Sequence, residues 1–247
     1  MNVVALPNIE PGANLSARSV DLLSHLLQGL EFRNDAAQIA AAALLARESE
    51  CLKSADQLLR KGRLIAAFTV LRSAVEADFC LAALVNDAEL TLDAMKHNYL
   101  RETKREYEAL KSQGYESLAD GRKIQEALRE LVGQLEAFRQ VPRHLSEIAE
   151  IGTRQKSYQT TYQLCCQRSH PHSLIATAND QFGPGDDGVV RIRTDYKDVI
   201  CSNDFLIVAE CVLAGMESAS KILGFELDGE YQAIRTEFDA VTAEFQQ

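Results

Sequence analysis

The chain has 247 residues, 46% of them hydrophobic and 25% charged, which is the balance of a folded, water-soluble protein. Its 36 acidic residues outnumber 26 basic ones, for a net charge of −10. That excludes broad binding to duplex nucleic acid, which needs an extended basic surface, but leaves room for a small basic cleft.

The first fourteen residues carry Pro7, Pro11 and Gly12 and are expected to form an irregular arm. They have neither the basic region nor the apolar core of a secretory signal. Residues 15–247 are expected to form one helical domain. Asn14 or Ser16 caps a first helix to about Phe32, with Val20, Leu23, Leu27 and Leu30 as its apolar stripe. An Ala-rich helix follows from Asn34–Asp35 to Arg60, ended by Lys61–Gly62. The third, Leu64–Val85, is the most apolar, yet carries Arg72, Glu76 and Asp78. Those charges mark a buried helix rather than a membrane span. Arg72 and Glu76 are four residues apart and share a face. In so apolar a segment they either pair with each other or line a cleft, because an unpaired buried charge costs several kcal/mol.

A long polar helix is expected from Asn86–Asp87 to Gln113. Its basic residues Lys96, Arg101, Lys104 and Arg105 are diluted by Glu102, Glu106 and Glu108, so no nucleic-acid patch is expected there. An amphipathic helix spans Asp120–Gln140, and Pro142 takes the first position of a short helix to Glu150.

The densest chemistry lies in Tyr158–His172, YQTTYQLCCQRSHPH. Between Ile151 and Asn179 the chain has three basic residues and no carboxylate. Tyr158, Tyr162, Cys165 and Ser169 recur at helical spacing on one face. Pro171 ends that helix near Ser169 or His170 and leaves His170 at its C-terminus, where a positive imidazole is favoured. Phe182–Tyr196 is the one non-helical signal, a Gly/Pro/Asp turn followed by alternation. It predicts a small loop or β-hairpin near residues 182–194, from which Arg191 and Arg193 hold a phosphate or carboxylate, or form a solvated face. A second core helix runs from Asp198 to Leu223, and an amphipathic one from Asp228 to Glu244.

Six cysteines without a CxxC pair point to a reducing, cytoplasmic setting rather than a disulfide framework. Pro171 separates His170 from His172, and no Asp or Glu is near them, so no metal site is expected. No cofactor motif is present.

Two pieces, LRSAVE at Leu71–Glu76 and a Y-x3-Y pair followed eight residues later by His170, resemble a bacterial family of unknown function with a HEPN-like helical fold. The resemblance runs from Leu64 to Thr177 and into the following core helix. It implies an all-α multi-helix bundle. The wider HEPN group is associated with RNases of toxin–antitoxin and phage-defence systems, and with non-catalytic dimerising modules. Its usual motif is an Arg and a His four to six residues apart, acting across a dimer cleft without metal. By resemblance, His170 or His172 is the histidine and Arg168 the arginine, with Arg72 as a spatial substitute; Arg168 and His172 leave only three residues between them.

Two functions are therefore carried forward. One is a metal-independent RNase with His170 as general acid/base, Arg72 or Arg168 stabilising charge at phosphorus, and Glu76, Tyr162, His172 and Tyr158 around them. The other is a non-catalytic helical module. The corresponding partners are RNA, a second copy of the chain or another protein, with no membrane.

Overall fold

The computed structural model describes residues 9–138, 140–169, 182–184, 190–192, 196–197 and 199–244. Helices dominate them: α1 Glu10–Gln28, α2 Ala36–Arg60, α3 Leu64–Asn86, α4 Ala88–Ser112, α5 Ile124–Glu136 and α6 Leu145–Ile151. A continuous helix, α7, then runs through 155–169, and α8 Ser202–Leu223 and α9 Gly229–Glu244 complete the bundle. Between α7 and α8, β1 Phe182–Pro184 pairs antiparallel with β2 Val190–Ile192, Gly183 opposite Arg191.

The centre is α3. Its composition is apolar nearly all round, so it has no solvent face to spare and is covered by α2, α4, α6, α7 and α8. Phe68, Leu71, Phe79 and Leu81 are fully enclosed, together with Leu45 and Leu52 of α2 and Phe205 of α8. Each such side chain contributes about 1.5–3 kcal/mol through burial. α1 packs on α8, α2 and α9. Asp56 of α2 ties it down, accepting from Ser16 at 2.6 Å and from Arg60 at 2.7 Å. α4 and α5 form a projecting hairpin with a thin core of Ala94, Leu100, Ile124, Ala127 and Leu131. Lys96 covers the Phe138 ring at its edge, 5.3 Å from the centroid.

Several boundaries differ from expectation, three of them with a visible cause. The irregular arm ends sooner, because Pro11 sits in the first turn of α1, where no backbone donor is needed, and the Gly12 amide donates to Ser202 Oγ at 2.9 Å. α5 starts at Ile124 because Asp120 Oδ1 accepts the Arg122 amide (3.0 Å) and holds the preceding residues in a turn. α6 starts at Leu145 rather than at Pro142: Glu147 accepts the amides of Arg143 (2.6 Å) and His144 (2.9 Å), which fixes the helix start behind them.

Candidate functional site

α3 and α7 build the site together. The chain enters α7 through a turn at Gly152, where a Cβ would stand 2.9 Å from Ala82 Cβ and 3.0 Å from the Ala83 amide; only glycine lets the turn lie that close to α3. α7 itself is an α-turn at Gln155–Ser157, a π-helical segment at Tyr158–Tyr162, and α-helix again at Gln163–Ser169. A π segment carries an extra residue per turn and is often found at working sites. Here it stacks Tyr158 on Tyr162, centroids 5.2 Å apart and planes 18° from parallel. Both rings lean on Phe79 of α3, at 6.2 and 6.1 Å.

This packing aims the Tyr162 hydroxyl at the ion pair on α3. Arg72 Nε lies 3.1 Å from Glu76 Oε1 and donates to the Tyr162 oxygen at 3.2 Å; Tyr162 donates to Glu76 Oε1 at 3.1 Å. The guanidinium also covers the Tyr162 ring, 5.5 Å from its centroid. Burial, and then the Glu76 charge, push the phenol up from its ordinary value, so it stays a donor at any physiological pH. Burial works against the Arg72 charge, but Tyr162, Cys166 and Glu76 together outweigh it and the guanidinium is held more firmly. The triad is not sealed: the side chains of Arg72 and Glu76 keep 33% and 34% of their exposure.

Glu76 opens onto a cleft of about 540 Å³ between α2, α3 and α4, which Arg47 and Arg101 also line, with Asn98, Tyr99 and Glu102. A recess of about 200 Å³ shares the Glu76, Asn98 and Arg101 wall and adds Arg143 and Tyr162. Arg47 makes no hydrogen bond or ion pair to any described residue. In a chain of net charge −10, Arg47 and Arg101 balance Glu76 and Glu102 in the cleft, and Arg143 leaves the recess with one arginine more than its glutamate.

The structure thus brings Arg72, Glu76, Tyr162 and Tyr158 together and directs Arg168 elsewhere. Arg168 Nη1 binds Asp204 Oδ1 at 3.0 Å and lies over the Phe68 ring at 4.6 Å. Asp204 also accepts the Cys201 amide at 2.9 Å, so this pair joins α7 to the start of α8. His170, His172 and Arg193 lie outside the described residues; Arg191 contributes its backbone to β2, and its side chain is likewise outside them. Among the described residues no group of three His, Cys, Asp or Glu is arranged to hold a metal, no helix is long and apolar enough to cross a membrane, and all six cysteines are free thiols.

The sequence reading missed Arg47 and Arg143, and it dismissed Arg101 because neighbouring glutamates dilute it along the chain. Helical spacing alone does not separate them: Arg101 follows His97 and Asn98 by one turn, but Glu102 follows Asn98 likewise and lines the same cleft, and Glu108 lies seven residues on, on the Arg101 face.

Residues 38–188 match a family model described only as a family of unknown function, DUF5677. The chain belongs to the DUF5677 family. The DUF5677 segment contains the whole triad and Arg47, Arg101 and Arg143, but not α1, α8 or α9, which supply much of the core. No curated protein and no solved structure matches the chain.

Proposed function

We propose that this DUF5677 protein is a metal-independent ribonuclease whose active site is formed by Arg72, Glu76 and Tyr162, with His170 immediately after the last described residue of α7. The observation that carries the reading is the half-open triad at the edge of an arginine-lined cleft. In such a reaction the ribose 2′-hydroxyl attacks the adjacent phosphorus, and the bond from phosphorus to the 5′-oxygen breaks. The products are a 2′,3′-cyclic phosphate and a 5′-hydroxyl. The 2′-hydroxyl proton goes to a general base, and the leaving oxygen takes a proton from a general acid; His170 serves in this exchange. Arg72 and the Tyr162 hydroxyl stabilise the charge that develops on the phosphoryl oxygens. Glu76 fixes both of them, and Arg47, Arg101 and Arg143 hold the flanking phosphates.

The test is incubation of the purified full-length chain with single-stranded RNA, with and without EDTA. Cleavage that persists in EDTA and is lost in Arg72→Ala and His170→Ala supports the reading; intact RNA with the wild type overturns it. A second reading, a non-catalytic module, is favoured by the mutual satisfaction of the triad, which ties α3 to α7 as a structural bond would. In that case the same substitutions change the melting temperature or the mass in sedimentation, and the wild type cuts nothing.

A further inference from the structure

A second pocket lies behind the triad cleft, between α4, α5 and the segment before α6, with a volume of about 390 Å³. Arg101 and Arg143 form its inner wall and face the triad recess with their other side. Lys104 and His97 stand on the same side of α4, one turn to either side of Arg101. The opposite wall is apolar, formed by Val132 and Leu135 of α5, and Val132 is 44% exposed although no packing demands it there. Glu136 is the one carboxylate in the lining, against three cations; Lys104 also reaches Glu108 at 3.4 Å, and Arg101 approaches Glu102 at 3.6 Å.

One buried polar atom here lacks the hydrogen bond that buried groups almost always have. His97 is only 7% exposed, and its Nδ1 makes no hydrogen bond to any described residue; the Nε of Arg101 is held only by the loose ion pair with Glu102. Burial, and then the charges of Arg101 and Arg143, lower the His97 pKa, so the imidazole is neutral and can offer a lone pair as well as a donor. Leaving such a group unmet is unfavourable, which a ligand would relieve.

We infer that this pocket binds a phosphate monoester carrying an apolar or aromatic body. The dianionic head sits among Arg101, Lys104 and Arg143, where it displaces the loose contacts of Arg101 with Glu102 and of Lys104 with Glu108. The body lies along Val132 and Leu135, and His97 meets a polar atom of the ligand at the floor. The inference does not depend on ribonuclease activity.

The test is titration of the full-length chain with phenyl phosphate, read by calorimetry and by the His97 imidazole resonances, with inorganic phosphate as comparison. Val132→Glu places a carboxylate in this pocket alone, on an exposed helix position that tolerates it, and Arg72→Gln alters only the triad. Saturable binding is expected, tighter for phenyl phosphate than for inorganic phosphate. It should weaken at least about tenfold in Val132→Glu and be unchanged in Arg72→Gln. Absence of saturable binding to the wild type overturns the proposal. So does equal affinity for both probes, or a loss in Arg72→Gln that Val132→Glu does not share.

Discussion

Two clusters of charge sit on opposite sides of α3, one completed by Tyr162 of α7 and the other by Arg154, the residue just before α7. One is the Arg72–Glu76–Tyr162 triad. The other is Asp78 with Arg154, joined by Glu48 of α2. Arg154 Nε lies 3.3 Å from Asp78 Oδ2, and its Nη2 reaches Asp78, Ser218 Oγ and the Ala214 carbonyl. Asp78 is almost fully buried, and Glu48 is completely so, with neither carboxyl oxygen hydrogen-bonded to a described residue. The difference teaches that charge in an apolar helix does not by itself mark a site. In the second cluster both carboxylates are buried and Arg154 keeps 26% of its side-chain exposure, beside a recess of only about 40 Å³. In the first, Tyr162 is buried but both charged members keep about a third of their side-chain exposure, beside a cleft of about 540 Å³.

The largest stability effect is expected from Arg154→Met, which strands Asp78 in the core. We expect a loss of about 3 kcal/mol in denaturant unfolding. A loss under about 1 kcal/mol would mean that the second cluster is as open as the first.

Next comes pH. Burial and the neighbouring Asp78 raise the Glu48 carboxyl well above its ordinary value, and burial raises Asp78 to about 6. The folded state binds these protons more tightly than the unfolded one. Their contribution is therefore complete below the unfolded values and is lost as pH rises through the folded ones. Glu48→Gln cannot ionise, so its melting temperature should gain on the wild type as pH goes from about 5 to about 8. A constant difference across that range would place the Glu48 charge in contact with water.

Tyr162→Phe removes the hydroxyl that links Arg72 to Glu76. A cost of about 1 kcal/mol is expected, since both partners reach solvent and keep each other. Smallest is Arg47→Ala, which should stay within about 0.5 kcal/mol in stability. It should nevertheless weaken RNA binding and reduce the salt dependence of that binding by about one charge. A stability loss without a binding change would move Arg47 to the structural side of the comparison.

Much of the helical bundle was legible because burial writes a period into the chain. The stripes of α1, α2, α3 and α8 gave those helices directly, and Asp35 and Asp87 cap α2 and α4 by accepting the amides of Gln38 and Leu90, both at 3.0 Å. Helix starts set by a side chain folding back, such as Glu147 or Asp120, were not visible, because the competing proline or helix pattern is equally local. In the site, Arg72 and Glu76 could be placed on one face and Tyr162 on another helix, but not in contact. Their meeting depends on the π segment of α7 and the close turn at Gly152, neither of which has a periodic signature. Nothing along the chain marks Arg154, and only the three-dimensional fold carries it to Asp78.

The most direct test of the comparison is the rate of RNA cleavage by Tyr162→Phe relative to wild type, at a temperature where both are fully folded. A functional triad predicts a fall of about 100-fold, the usual cost of one lost transition-state donor, in a protein that has lost only about 1 kcal/mol of stability. Cleavage by Tyr162→Phe at the wild-type rate, or no cleavage by either protein, would contradict the account and leave both clusters as supports of the fold.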